Sequence, residues 1–404
     1  MRCFLWVVAV AAFLAAGSTA VLAQGEFPLK YVVGEENEPL TSSGLSYSGS
    51  TDQQPPDIKV LPKGLSGNCR YFAVPVGGKR LWAVLDELSS PPKLYVEVEG
   101  TSAGRVAGDL SAAQPLVGTV NGSQCTFGPI DVPLGDEKKA VIAKVLFVSV
   151  ANNQILGGRA AGYMAGEAKL GGQTYRVAVL DKKLDGRYES AFGDGGQREP
   201  SWRADAIAID INQNGLFDGG GDRPEIMPLA KAVCVKNVYY RVQVAPDGSS
   251  IKFEKYEPKM GTLDIGVAAS LTAFSETGFH NLSGSDGKWQ VPEGKYLGES
   301  LSIAKTDADG KEWRLGAASV GPLENFEVRG GQTTAIKIGP PLALKVDAGE
   351  PDSGSISLNL ALAGKGGETY SVGLQKGTSR LPPPKVKVLD ASGKVLAEGN
   401  SEYG

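Results

Sequence analysis
The chain has 404 residues, 42% of them hydrophobic and 21% charged, enough apolar material for a sizeable core; its 54 glycines carry no Gly-X-Y period, so collagen is excluded. A formal charge of −4, with no basic face or tail, argues against nucleic acid or an anionic membrane as partner. The one histidine, His280, excludes a multi-histidine zinc site and limits any Ser–His or Cys–His catalytic pair to that residue.

In chain order, Met1 and Arg2, an apolar run over 4–16 and the small-residue end Val21-Leu22-Ala23 predict a signal peptide over 1–23, cleaved before Gln24. The run is shorter than the ~20 residues a bilayer span needs, and no later segment is long and apolar enough, so no membrane span is expected. Secretion or export to the periplasm permits disulfides. Cys69 and Cys125, each after a polar turn segment, are the better pair, and Cys234 alternates with apolar neighbours as a buried strand residue.

Residues 24–57 are polar and read as a flexible leader. The rest predicts an all-β chain of several β-sandwich-like domains in tandem. Short β-rich runs such as 80–85, 94–98, 175–180 and 239–244 alternate with Gly-Gly, Asp-Gly and Ser-Gly dipeptides that suit tight hairpins. The expected units are a β domain over 58–160, a second over 161–260, a β-sandwich-like domain over 261–339 and a C-terminal β domain over 340–404. The last ends in a hairpin that must pair with 342–380 unless the reading frame is truncated. An internal repeat is also expected, because 77–86 matches 171–181 with one insertion, ending in Asp86 and Asp181.

One constellation carries chemistry. Asp210, Asn212, Asn214 and Asp218 place oxygen side chains at positions 1, 3, 5 and 9, Gly215 stands at 6, and the Leu216 carbonyl would serve position 7. Alternating carboxylates and amides wrap a hard cation, and the glycine permits the sharp turn, so calcium is the expected cofactor. The stretch resembles the calcium loop of EF-hands and dockerins. Position 12 is Gly221 in place of the bidentate Glu, with Asp222 adjacent as substitute, and the entry over 206–209 reads as strand. A solvated Asx-rich turn is the competing reading. A second acidic loop, 181–186, has Lys183 at its third position, and Asp185 or Asp194 is a further candidate ligand for the first loop. The matching loop of the other repeat copy, 97–101, has too few oxygens.

Further on, 286–296, with Pro292, Gly294 and Tyr296, resembles a turn of carboxypeptidase regulatory-like, transthyretin-like β-sandwiches, and 386–397 resembles the opening hairpin of the same class; the resemblance implies a non-catalytic module. The order of motifs resembles multi-domain exported β-proteins of environmental bacteria. Enzyme signatures are poor. Ser302 and Lys305 match Ser-x-x-Lys within a strand-like run without its companion motifs, His280 lies in an expected surface turn, and Trp202 and Tyr188 are candidate sugar-stacking aromatics. The expectation is therefore an exported non-catalytic binding or structural protein of the cell envelope, stabilised by one calcium ion, with carbohydrate or another envelope component as partner. The alternative is a secreted polysaccharide-acting hydrolase that uses a carboxylate pair.

Overall fold
The structure, a computed structural model, describes residues 24–400 apart from 35–38, 43–45, 78, 98–107, 123, 135–140, 151–153, 193–203, 220–224, 351–356, 372 and 384. The expected signal peptide lies outside the described residues. Among the described residues, helix is confined to Pro39–Ser42 and a 3-10 turn at Gly321–Leu323, and no helix is long and apolar enough to cross a membrane. The protein is all-β, built from separate sheets.

Four of these sheets share cores over the first 256 residues. Sheet I runs in the order Cys69–Val76, Lys79–Asp86, Lys93–Glu97, Pro115–Val117. Sheet II runs Ser46–Gly49, Ile155–Ala160, Val141–Val150, Gln124–Leu134, Thr119–Asn121. Sheet III runs Ile226–Pro228, Ala206–Ile209, Gln173–Leu180, Gly162–Leu170, Lys30–Val33. Sheet IV runs Gln24–Pro28, Ser250–Tyr256, Val238–Val244, Ala232–Val235. One core gathers Leu81 and Leu85 of sheet I, Phe127 and Phe147 of sheet II, and Ala178 and Leu180 of sheet III. A second joins Val177, Val179 and Ile207 of sheet III to Tyr240 and Phe253 of sheet IV. Sheet III thus lies between two cores, which is why Ala206–Ile209 is apolar at every position instead of alternating.

Two expectations about domains are corrected by this arrangement. The segment 24–57 is not a free leader: it supplies one strand each to sheets IV, III and II, pairing with Ser250–Tyr256, Gly162–Leu170 and Ile155–Ala160. The chain then retraces that path, forming sheets I, II, III and IV in turn. Polar composition misleads here because edge strands keep one side in solvent; Lys30–Val33 is mostly exposed. The expected boundary at 160/161 also fails as a core boundary, since sheets on either side of it share the first core.

The repeat has a structural counterpart. Lys79–Asp86 and Gln173–Leu180 are each the second of four consecutive strands in meanders of the same connectivity. With the one-residue insertion, Ala83 and Leu85 match Ala178 and Leu180 in the shared core, while Trp82 and Val84 match Val177 and Val179 on the opposite faces. Asp86 and Asp181 end the two copies and are both buried.

After residue 256 a three-stranded sheet (Lys288–Pro292, Met260–Asp264, Thr333–Ala335) faces a ten-stranded one that includes Gly278–Gly284, Ala269–Ser275, Gly294–Thr306, Glu312–Ser319 and Thr369–Ser371. Tyr370 is fully buried in the same core as Leu263 and Leu301, so the expected boundary at 339/340 divides one core. The terminal hairpin, Lys385–Leu389 with Val395–Asn400, forms its own two-stranded sheet and, among the described residues, does not pair with 342–380. The expected pairing of Cys69 with Cys125 is not formed: neither these two nor Cys234 is in a disulfide. Cys125 faces the core shared by sheets I to III, and Cys69 packs on the other side of sheet I. Cys234 is in a strand as expected but only half-buried.

Candidate metal centre
The strand Ala206–Ile209 delivers Asp210 to its end, where the side chain is 4% exposed. Asp210 Oδ1 accepts the Asn214 N–H at 3.1 Å and Oδ2 accepts the Gly215 N–H at 2.9 Å. Gln213 (φ +61°) and Gly215 (φ +84°) sit in the left-handed region that turns these amides inward. Asn212 Oδ1 accepts from Asn214 N–H and Asn214 Oδ1 from Leu216 N–H, both at 2.8 Å. The side-chain amides of Asn212 and Asn214 both donate to Asp218 Oδ2, at 2.7 and 3.1 Å. Four of the expected ligands therefore form one network. Leu216 lies in the loop with its side chain 65% exposed, and Asp222 lies outside the described residues.

Two residues that sequence spacing missed hold this loop. Glu225 is 2% exposed and accepts the N–H groups of Asn212 (2.8 Å) and Asp218 (3.1 Å), closing the loop across its base. It is brought there by the pairing of Ala208 with Ile226, a signal no short motif contains. Arg176, on the neighbouring strand, donates to the Gly215 carbonyl at 2.6 Å and to the Tyr163 hydroxyl at 3.0 Å, and lies over the Phe217 ring at 4.6 Å. Its own carbonyl accepts the Asp210 N–H at 3.0 Å.

The donor chemistry suits calcium, which takes hard oxygen ligands. Among the described residues, however, no three His, Cys, Asp or Glu side chains are gathered around one point. The loop draws its oxygens from amides as much as from carboxylates. Asp218 here receives two amide N–H groups, and a cation seated beside it would have to replace those contacts. Low ligand charge belongs to the weak end of calcium sites, about 10⁻⁴–10⁻³ M in extracellular modules.

The second acidic loop has the same backbone. Asp181 Oδ1 accepts Asp185 N–H at 3.3 Å and Oδ2 accepts Gly186 N–H at 2.7 Å, with Leu184 (φ +54°) and Gly186 (φ +73°) left-handed. It follows Leu180, the partner of Ala206, so it stands at the other end of sheet III, and Asp185 lends nothing to the Asp210 loop. Asp194 lies outside the described residues. Asp205, fully buried one rung beyond that pair, accepts the N–H groups of Lys182 (3.1 Å) and Ser190 (2.9 Å). Burial, then a neighbouring carboxylate's charge, raises both: Asp181, with Asp185 as that neighbour, to about 7, and Asp205, with Asp181 as that neighbour, to about 8.

His280 is not on a surface turn. It is 7% exposed on Gly278–Gly284, its Nε2 3.0 Å from Ser275 Oγ and 3.3 Å from Thr277 Oγ1, and burial lowers it to about 4, so the ring is neutral. Ser302 and Lys305 share the strand Gly294–Thr306, where a spacing of three directs side chains to opposite faces. Tyr188 packs against the core between sheets III and IV, and burial raises its phenol; Trp202 lies outside the described residues. Comparison with protein-family models, curated proteins and solved structures found no match to this chain.

Proposed function
We propose that the chain is an exported, non-catalytic binding or structural protein of the cell envelope, in which the Asp210 loop holds one calcium ion and ties sheet III to its neighbours. The observation that carries the metal is the seating of Asp210: a buried carboxylate whose two oxygens are fixed by loop amides, with Asn212, Asn214 and Asp218 collected beside it. The export signal read in residues 1–23 supports the location. The carboxylates with the most strongly raised pKa, Asp181 and Asp205, are 5% and 0% exposed, which favours a structural use over a catalytic pair reached by polysaccharide.

The test is thermal unfolding of the mature chain with calcium and with a chelator. An ion present at about 100 times its dissociation constant adds about 2.7 kcal/mol. The midpoint should therefore rise by several degrees with calcium, and Asp210→Ala should abolish the rise. A midpoint indifferent to calcium contradicts the reading.

A further inference from the structure
A cavity of about 760 Å³ opens where Phe192, from the loop beside sheet III, meets the C-terminal sandwich. Its volume falls within the about 300–1,000 Å³ of small-molecule sites, which favour junctions of this kind. Ser275, Thr277, Tyr296 and Phe326 form its inner lining. None of these carries a charge, and the His280 ring behind the two hydroxyls is kept neutral by burial. Tyr296 donates to the Pro292 carbonyl at 2.6 Å and stacks on Phe326 with ring centres 5.0 Å apart and planes 13° from parallel. The rim is different. Glu276, Glu293, Glu327 and Lys295 stand exposed there, with Glu276 paired to Lys231 at 3.2 Å and Glu327 to Arg329 at 3.5 Å, so the rim is charged but nearly balanced.

This distribution selects a ligand class. An uncharged interior gives a charged ligand no partner, and a rim whose charges nearly balance draws in neither sign. The interior hydroxyls both donate and accept, the rim carboxylates accept hydroxyl protons, and the aromatic pair offers apolar surface. A compound bearing many hydroxyls and apolar ring faces, without charge, satisfies all three. We propose that this cavity binds a neutral oligosaccharide. The proposal rests on the binding-protein reading above and names its ligand class; it does not depend on calcium.

The experiment is calorimetric titration of the full mature chain with maltotetraose, cellotetraose and chitotetraose, with sialyllactose as the anionic control. At least one neutral sugar should bind and sialyllactose should not. Thr277→Trp, which fills the interior, should weaken binding at least tenfold. Asn325→Trp, at an exposed lining position with no folding burden, should do the same. Calcium-dependent melting of both variants should match the parent, which separates this site from the metal loop. Binding of none of the neutral sugars, equal binding of sialyllactose, or unchanged affinity in both variants overturns the proposal. Cleavage of a bound sugar supports the ligand class and removes only the non-catalytic reading.

Discussion

The loops after Leu180 and after Ile209 are built on one template and placed in opposite surroundings. Each begins with a buried aspartate that accepts the N–H groups four and five residues on, and each is bent by left-handed residues at the fourth and sixth positions. At one end of sheet III the aspartate lies under the charge of Asp185 and acts on a second buried carboxylate, Asp205; at the other it meets two asparagines, an aspartate and the closing carboxylate of Glu225. The backbone sets where the first oxygen goes. Its neighbours decide what positive charge it keeps, a proton at Asp181 and Asp205 or, as proposed, a metal ion at Asp210. A strand end that presents an aspartate to a turn is thus a generic device, and motif matching on that device alone does not distinguish its uses.

The largest effect is expected at the proton-holding end. Asp205→Ala leaves the amides of Lys182 and Ser190 buried without acceptors, and should lower stability by about 3–5 kcal/mol in urea unfolding. A loss under about 1 kcal/mol would mean that water reaches those amides.

Next comes pH. The carboxyls of Asp181 and Asp205, ordinarily at 3.8, are raised to about 7 and about 8 in the folded protein. Between pH 4 and 8 the folded chain therefore holds protons that the unfolded chain has lost, and stability falls as pH rises through that window. Stability at pH 8.5 should be lower than at pH 5 by several kcal/mol, since each group contributes about 1.4 kcal/mol for every pH unit below its folded value. Asp181→Asn should flatten the profile; equal urea midpoints for the parent at the two pH values would break the comparison.

At the other end the expected losses are smaller. Glu225→Gln keeps one acceptor oxygen and surrenders the other, so about 1–2 kcal/mol should be lost, together with a weaker calcium response in melting. Gly215→Ala meets no atom within 4 Å of the added carbon, so only the left-handed backbone resists it, at about 1 kcal/mol. A much larger loss would show that the loop moves against its surroundings.

Much of this architecture was legible in residues. The alternation and the Gly-Gly and Asp-Gly turns gave the all-β class, and the match of 77–86 to 171–181 located two strands that the structure places in meanders of the same connectivity. Asp210, Asn212, Asn214 and Asp218 were named from spacing, because a turn of nine residues is local. Glu225 and Arg176 were not, because strand pairing delivers them from 7 and 34 residues outside the motif. Burial also escaped the sequence. His280 reads as polar and turn-like, yet pairing with Ala273 places it inside a sheet. The segment 24–57 reads as solvated because its strands are edges, and the extra partners that fix them lie more than a hundred residues away.

The direct test of the metal reading is calorimetric titration of calcium into the mature chain beside Asp210→Asn, a change that removes the charge, keeps one acceptor oxygen for the loop amides and surrenders the other. One ion per chain should bind the parent, and the variant should bind at least tenfold more weakly, while the missing acceptor lowers the stability of the chelator-treated variant by about 1–2 kcal/mol. Heat of calcium binding that is absent from the parent, or identical in the variant, contradicts a metal at this loop.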